Sequence, residues 1–200
     1  MQENKLLTQL TPLSPTHFCD MSPHVRIFNP SIHRLSKPLQ LIGKALTVEA
    51  DGDLLPVIHA IDLAAPGDVL VISSGGAKCA LIGEILTAAA KEKKLAGVVL
   101  DGYCRDIDAI CALAMPLYAK GVYPAAGPKQ KLGQLNIPIV CGDITVHPGD
   151  IIFGDDSGLI ALSETELNEL LPLAKKKKAA EIESIQKIKE GITLSRIFGH

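Results

Sequence analysis

The sequence is poor in aromatic residues and has no tryptophan at all. Phenylalanine and tyrosine together make up 4% of the 200 residues. Proteins that bind single-stranded nucleic acid without sequence preference stack the bases on exposed aromatic rings, and this chain has few rings to offer. The formal net charge of -2 gives no general attraction to nucleic acid or to an anionic membrane. We therefore expect neither nucleic acid nor a membrane as a partner.

Cysteine pairs at metal-binding or redox spacing are also missing. The five cysteines are an odd number, and none of them stands in a C-x-x-C pair. This argues against a structural zinc site and against the disulfide framework of a small secreted protein. The sequence begins without a basic flank and apolar run, and no apolar stretch reaches the roughly 20 residues of a membrane span. We therefore expect a cytoplasmic protein.

Hydrophobic residues, in contrast, are plentiful at 47% of the chain, which excludes an intrinsically disordered protein. Two hundred residues are enough for one domain with its own core, and no stretch has the composition of a linker. We predict one domain over residues 1–200, with an irregular or partly helical segment at 1–43 and a C-terminal helix at 163–190. The four lysines at 175–178 lie in that helix, and we interpret them as a solvated helix face.

The first half of the chain alternates between strand and helix patterns. Apolar runs predict strands at 44–50, 69–72 and 97–100, and the intervening composition predicts helices at 54–64, from 80 or 81 to 94, and at 106–114. The turn at 51–53 can also cap the first of these helices. This order is typical of an α/β domain with parallel neighbouring strands.

The second half has a different texture, with short strand patterns separated by turn residues. Strands are predicted at 117–120, 137–141, 144–146, 151–154 and 159–162. Ser163 and Glu166 have the spacing of a capping box, which marks the start of the last helix. These patterns predict a compact strand-rich half that either closes the sheet or forms a small barrel.

Glycines before a predicted helix favour an anion site. The pair Gly75 and Gly76, and then Gly83, would let backbone amides approach a ligand closely. If Gly83 lies at a helix start, the N–H groups of Ile85 and Leu86 are free to bind a carboxylate or phosphate. Glycine-rich turns are more often structural, however, and this one is neither a phosphate loop ending in Gly-Lys-Ser/Thr nor a clean G-x-G-x-x-G.

Carboxylates after the strand at 97–100 favour a cation at the same place. Asp101, Asp106 and Asp108 lie where open α/β sheets bind their ligands, and Mg²⁺ takes one or two protein carboxylates together with water and substrate oxygens. Arg105 can clamp a substrate carboxylate while Asp106 holds the metal. The alternative is that Asp106 caps the following helix and Arg105 is its surface partner. Residue types alone do not decide between them.

The motif Gly83-Glu84, twenty further residues, and then Arg105-Asp106 resembles a known pattern. It is similar to the acid-x20-Arg-Asp motif of the RraA-like family, which includes the 4-hydroxy-4-methyl-2-oxoglutarate aldolases and the regulator of ribonuclease activity A. The resemblance covers about residues 44–162, including PGDVLVI, the GG loop, GVVLDGYCRD and PGDIIFGDDSGLIAL. We predict a single-domain α/β/α fold of the swivelling type, with a mixed central sheet and a β-rich C-terminal half.

The resemblance implies a lyase, a class II aldolase or decarboxylase that depends on Mg²⁺ or Mn²⁺. Such an enzyme cleaves a 4-hydroxy-2-oxo acid or oxaloacetate to give pyruvate. By analogy, the 2-keto acid is bound by Gly83, Glu84, Ile85, Leu86 and Arg105, the metal is bound by Asp106, and the catalytic residues are Glu84 and Arg105. The family also implies a homotrimer or homohexamer with its site at a subunit interface.

Two features bear on the chemistry. Glu84 stands where the aldolases usually carry aspartate, and because catalytic geometry is sensitive at the ~1 Å level, its longer side chain affects rate and substrate choice more than metal binding. We expect Glu84, acting through a water, to return a proton to the substrate carbon. A Schiff base on Lys78 is less favoured, because that lysine lies in a polar glycine-rich loop.

The main alternative is a non-enzymatic regulator that binds a protein partner such as a ribonuclease. The Arg105-Asp106 pair favours the lyase, since a pure binding protein has no chemical need for it. A phosphorylated histidine at His147 is less favoured again, because the HPGD sequence is a better turn than a catalytic site.

Overall fold

A curled mixed sheet forms the centre of the protein in the computed structural model, which describes residues 8–36 and 40–199. Helices span Pro15–Cys19 (α1), Leu55–Leu63 (α2), Glu84–Glu92 (α3), Ile107–Leu113 (α4), Glu164–Lys189 (α5) and Leu194–Phe198 (α6). Strands span Arg26–Ile27 (β1), His33–Arg34 (β2), Leu41–Glu49 (β3), Asp68–Ser73 (β4), Ala80–Ile82 (β5), Gly97–Cys104 (β6), Leu117–Val122 (β7), Gln134–Leu135 (β8), Ile139–Cys141 (β9), Ile144–Val146 (β10), Ile151–Asp155 (β11) and Gly158–Leu162 (β12).

The sheet has the strand order β1-β12-β11-β3-β4-β6-β7-β2, with β5 on β6 and β8 on β3. Strands β3, β4, β6 and β7 are parallel, because helices cross over between them. Strands β11 and β12 form an antiparallel hairpin on β3. The mixed α/β fold and the strand-rich C-terminal half are therefore confirmed.

Three apolar clusters fix the sheet in place. Helices α2, α3 and α4 cover one face of the parallel strands, in a cluster that includes Leu46, Leu70, Val98 and Ile110. The β9–β10 hairpin covers the opposite face. Its Ile139, Cys141 and Val146 pack in one cluster with Val71 and Val99. Helices α1 and α5 pack on the β11–β12 end, around Phe18, Phe153 and Leu167. A fully buried side chain of this size contributes about 1.5–3 kcal/mol, so each cluster holds its elements firmly.

One predicted helix begins too early. Residues 80–82 form strand β5, which pairs with β6, and α3 begins only at Glu84. Leu81, in this strand, is fully buried, whereas Ile85, in the first turn of α3, is 81% exposed. These three buried apolar residues form a strand because they pair with a parallel neighbour. In the sequence, an apolar run this short does not distinguish a strand from a helix.

The last helix begins as predicted. Ser163 and Glu166 make both bonds of the capping box. Two of the lysines in the basic run are engaged by the N-terminal segment: Lys177 pairs with Asp20, and Lys178 donates to the carbonyl of Pro12. Across 8–36 and 40–199, no helix is both long enough and apolar enough to cross a membrane.

Candidate active site

Gly83 joins strand β5 to helix α3. Its backbone is extended, with φ -151° and ψ -170°, a conformation open to any residue. Space is what requires glycine, because a Cβ atom here would lie 2.7 Å from Oδ2 of Asp106 and 3.1 Å from Cγ of Arg105. The start of α3 therefore leaves room for two charged side chains that arrive from the end of β6.

Asp106 follows β6 in the left-handed backbone region, with φ 58° and ψ 42°. Aspartate tolerates this region better than most residues, and such strained positions cluster at functional sites. Its side chain makes no capping bond to its own helix α4. Instead, the Glu84 N–H donates to Oδ2 of Asp106 at 3.1 Å. Asp106 thus stands at the start of one helix while its carboxylate caps another, so the simple capping alternative does not describe it.

Arg105 lies beside Asp106, with its Nε 3.6 Å from Oδ2. Its backbone N–H donates to the carbonyl of Ile82 at 2.9 Å, which ties the residue to β5. The two charged side chains are 43% and 42% exposed, so a ligand from solvent can reach them. Within the described part of the chain, nothing pairs with the Nη atoms of Arg105 or with Oδ1 of Asp106. Both residues keep unused polar atoms.

The first turn of α3 carries the other predicted residues. Glu84 is exposed, Ile85 is exposed, and Leu86 packs partly buried against the core. The first N–H groups of a helix have no carbonyl partner within it, and Asp106 uses the one from Glu84. The N–H groups of Ile85 and Leu86 remain for an anionic ligand. The structure thus brings the predicted residues together at the start of α3, although the side chain of Leu86 packs against the core.

Asp101 does not join this surface. It lies inside β6, which runs further than predicted, and its carboxylate pairs with Lys120 and accepts the N–H of Gly142 at 2.7 Å. Asp108 is exposed in the first turn of α4. Among residues 8–36 and 40–199, no three histidine, cysteine, aspartate or glutamate side chains form a group that could hold a metal. The expected cluster of three aspartates is therefore wrong.

The paired glycines serve a turn. Gly75 and Gly76 have φ 65° and 77°, values that favour glycine. A Cβ atom on Gly75 would lie 2.8 Å from Oδ1 of Asp51, so the turn packs against the loop before α2. Lys78, the alternative nucleophile, is exposed in the same segment.

Asp53 is a buried carboxylate whose full role the sequence did not reveal. It is 1% exposed and accepts the N–H groups of Leu55, Gln130 and Lys131 at 2.9, 2.9 and 3.0 Å. Desolvation alone would raise its pKa, but these donors and the charge of Lys131 outweigh it and lower the pKa. Asp53 thus holds the first N–H of α2 from just outside the helix, while the N-cap position itself is Leu54, which makes no side-chain cap. It also ties down the segment before β8. With its acceptors in use, Asp53 is structural.

Comparison with known proteins identifies the family. A family model described as RraA-like, Aldolase/RraA, matches residues 16–161. The chain belongs to the RraA-like family. A relative from Halalkalibacterium halodurans named "Putative 4-hydroxy-4-methyl-2-oxoglutarate aldolase" is 34% identical over 198 residues, which cover 98% of this chain and 94% of the relative. The family predicted from the sequence is confirmed.

Solved structures of RraA-like proteins share the fold. An uncharacterised protein from Pseudomonas syringae pv. tomato matches with a TM-score of 0.88 at 26% identity, covering 97% of this chain and 92% of its own. The RNA-processing inhibitor RraA from Thermus thermophilis matches with a TM-score of 0.69 at 26% identity, covering 74% and 90%. The relatives of this RraA-like chain thus include proteins named as an aldolase and as an inhibitor.

Proposed function

We propose that this RraA-like chain is a divalent-metal-dependent lyase of the class II aldolase or decarboxylase type. It cleaves a 4-hydroxy-2-oxo acid, or decarboxylates oxaloacetate, and releases pyruvate. The observation that carries the proposal is the convergence of Arg105 and Asp106 on the start of α3, with polar atoms of both unpaired within the described residues. The aldolase name of a relative 34% identical over nearly the whole chain supports the same reading.

The residues present fit Mg²⁺ or Mn²⁺. The Asp106 carboxylate is exposed and has one oxygen without a partner among the described residues, and Glu84, whose amide holds the other oxygen, carries a second exposed carboxylate. Mg²⁺ needs only one or two protein carboxylates, because water and substrate oxygens complete its shell. Asp106 would hold the ion. An ion held there would supply Lewis acidity toward the 2-oxo group of the substrate.

Arg105 and the first turn of α3 bind the substrate carboxylate. The Nη atoms of Arg105 can form a bidentate pair with it, and the N–H groups of Ile85 and Leu86 add the positive end of a helix. These donors are fixed before the reaction begins, so they stabilise charge without reorganisation. They hold the 2-oxo acid beside Glu84 and Asp106.

Glu84 moves the proton that the reaction requires. When the C3–C4 bond breaks, the electron pair stays with the pyruvate half, and C3 must gain a proton. In the aldol substrate, the 4-hydroxyl loses a proton as it becomes a carbonyl. In oxaloacetate, the other product is CO₂. Glu84 is exposed at the first position of α3, where its carboxylate can return the proton through a water.

The decisive experiment measures pyruvate release from 4-hydroxy-4-methyl-2-oxoglutarate and from oxaloacetate. The purified chain is assayed with Mg²⁺, with Mn²⁺ and after treatment with EDTA, and an Asp106→Asn variant serves as the control. We expect turnover that EDTA abolishes and that a fresh metal salt restores. Folded protein that is inactive on both substrates would overturn the lyase proposal.

A second candidate function is regulation of a protein partner such as a ribonuclease. The observation in its favour is the structural likeness to the Thermus thermophilis inhibitor. A regulator requires no unpaired arginine and carboxylate beside a helix start, so the geometry favours the lyase. Binding of a ribonuclease by the chain and by its Asp106→Asn variant alike, without turnover, would favour the regulator.

The proposal includes a single domain and assembly as a cytoplasmic homotrimer or homohexamer, with the site at a subunit interface. Ile85 lies next to the site and is 81% exposed. A single exposed apolar residue is ordinary on a protein surface, and others such as Leu63 and Leu132 are exposed here as well, so assembly is proposed from the family and not from this residue. Light scattering of the purified chain distinguishes a trimer or hexamer from a monomer.

A further inference from the structure

We propose that Gly83 is a positioning residue for Asp106. Its missing side chain leaves the space in which the Asp106 carboxylate reaches the Glu84 N–H, so Oδ2 is held and Oδ1 is presented to a cation. The inference rests on the proposed metal-binding role of Asp106. It assigns to Gly83 a task different from direct contact with the substrate.

The distances show why a side chain does not fit. A Cβ atom at position 83 would lie 2.7 Å from Oδ2 of Asp106, 3.1 Å from Cγ of Arg105 and 3.3 Å from its Nε. Carbon atoms essentially never approach an oxygen to 2.7 Å without bonding, so the carboxylate would have to leave the Glu84 amide. The extended backbone of Gly83 suits any residue. The whole effect of a substitution therefore falls on these two side chains.

The backbones of the two displaced residues cannot follow. The N–H of Arg105 is bonded to the carbonyl of Ile82, and the carbonyl of Asp106 accepts the N–H of Ile110 at 3.1 Å. Asp106 is further confined by its left-handed conformation. Only the side chains can rotate away, and rotation of Asp106 breaks its bond to Glu84. The carboxylate is then free to move, and a cation must restrict it on binding.

Gly83 differs in this respect from the other tightly packed glycines. A Cβ atom on Gly97 would lie 2.1 Å from Cδ1 of Leu41, and one on Gly43 would lie 2.2 Å from the carbonyl of Gly67. Those clashes are with core or backbone atoms, so substitution there disturbs the fold. At Gly83 the clashing groups are two charged side chains that are about 40% exposed. Substitution at Gly83 thus tests the site with little disturbance of the core.

The chain also offers a matched control. Gly121 lies in a strand, and a Cβ atom there would make ordinary contacts at 3.7 and 3.8 Å with the ring of Tyr103. Gly121 has no positive φ, so alanine is not strained. The Gly121→Ala variant therefore makes the same chemical change without the clash.

The experiment titrates Mn²⁺ into the full chain and follows free Mn²⁺ by electron paramagnetic resonance, with thermal unfolding measured in parallel. Wild type, Gly83→Ala, Gly121→Ala and Asp106→Asn are compared. We expect Gly83→Ala to weaken Mn²⁺ binding by about 10- to 100-fold, the usual effect of losing a group that orients a metal ligand. Its melting temperature should stay close to that of Gly121→Ala, whose Mn²⁺ affinity should equal that of wild type.

The outcomes separate this inference from the proposed function. Wild type that binds no Mn²⁺ would overturn the metal-binding role of Asp106 itself, and the positioning role with it. Wild-type binding that Gly83→Ala leaves unchanged would overturn the positioning role alone. Equal weakening in both glycine variants would overturn it as well, since the control lacks the clash. An unfolded Gly83→Ala would do the same, because the inference confines the clash to exposed side chains.

Discussion

A single residue separates each of helices α3 and α5 from the strand before it, yet their first turns are capped in different ways. At α5 the cap is local: Ser163 Oγ accepts the N–H of Glu166 at 3.2 Å, and Oε2 of Glu166 accepts the N–H of Ser163 at 2.6 Å. At α3 the cap position is Gly83, which has no side chain, and the acceptor is Asp106, which lies 22 residues beyond Glu84. A local cap stabilises one helix, whereas a distant cap also fixes a charged loop beside it.

The two helix starts also differ in how completely their charges are used. Beside α5, Arg26 pairs with Glu166 at 3.3 Å and with Asp150 at 2.6 Å, and it also donates to the carbonyl of Thr145. Its hydrogen bond to Asp150 contributes most to the raised pKa of Arg26. Beside α3, the guanidinium of Arg105 pairs only with Asp106 among the described residues, and at 3.6 Å. A saturated arginine is structural, while an arginine with free Nη atoms can take a ligand.

The largest expected effect comes from removing the charge of the residue that forms the distant cap. Asp106→Asn retains the left-handed backbone, which asparagine tolerates, and it retains an acceptor for the Glu84 N–H, but it loses the charge. Metal-dependent pyruvate release should fall by more than about 100-fold, since even the partners of a metal ligand are worth about 10–100-fold in affinity. Mn²⁺ titration and circular dichroism on the same sample check binding and fold. Full turnover by this variant would refute the site.

Removal of the neighbouring guanidinium should have the next largest effect. Arg105→Ala loses a charged hydrogen bond to the substrate, worth about 1.5–3 kcal/mol, or roughly 10- to 150-fold in kcat/KM. Arg105→Lys should recover only part of this, because an ammonium cannot form the bidentate pair. Steady-state kinetics measure both variants. Mn²⁺ affinity should change much less than kcat/KM, and the opposite ranking would make Arg105 a support for Asp106 instead of a substrate ligand.

The contrast between the two helix starts also explains what could be predicted from the sequence. The capping box at Ser163 and Glu166 is a pattern within four residues, so it was predicted and confirmed. Strand β5 is only three residues long and merges in sequence with the helical pattern of α3, so its pairing with β6 could not be foreseen. Local patterns encode local structure.

The site was predicted only in part, because some of its contacts join residues that are distant in sequence. The family motif named Glu84, Arg105 and Asp106, and the structure places them together. The hydrogen bond from the Glu84 N–H to Asp106 joins two loops that are distant in sequence, so no local sequence pattern predicts it. The inclusion of Asp101 was an error because β6 extends past it, and the alternation of buried Leu100, Gly102 and Cys104 would have indicated a longer strand.

A smaller effect is expected from breaking the local cap. Ser163→Ala removes the acceptor for the Glu166 N–H and should lower the free energy of unfolding by about 0.5–2 kcal/mol. Turnover should not change, since α5 begins far in sequence from the site and its charges are satisfied locally. Ser184→Ala in the same helix is the control: Ser184 is partly exposed and its hydroxyl donates to the carbonyl of Ala180, so the expected change is within about 0.5 kcal/mol. Urea unfolding measures both, and equal values would show that the cap at Ser163 does not stabilise α5.

The smallest effect concerns the pH dependence of that cap. Burial by itself would raise the pKa of Glu166, but the bonds from Ser163 and the charge of Arg26 outweigh it and lower the pKa. A carboxyl whose pKa is lower in the folded state stabilises the fold above its unfolded value of about 4.3. That contribution is lost as the pH falls through the lower folded value.

The stability difference between wild type and Glu166→Gln should therefore be present at pH 7 and should shrink below about pH 4. The carboxylate is partly exposed and screened, so the change is small, and urea unfolding at both pH values must be compared on the same day. A difference that stays constant from pH 7 to pH 3 would show that the local cap at α5 does not depend on the charge of Glu166.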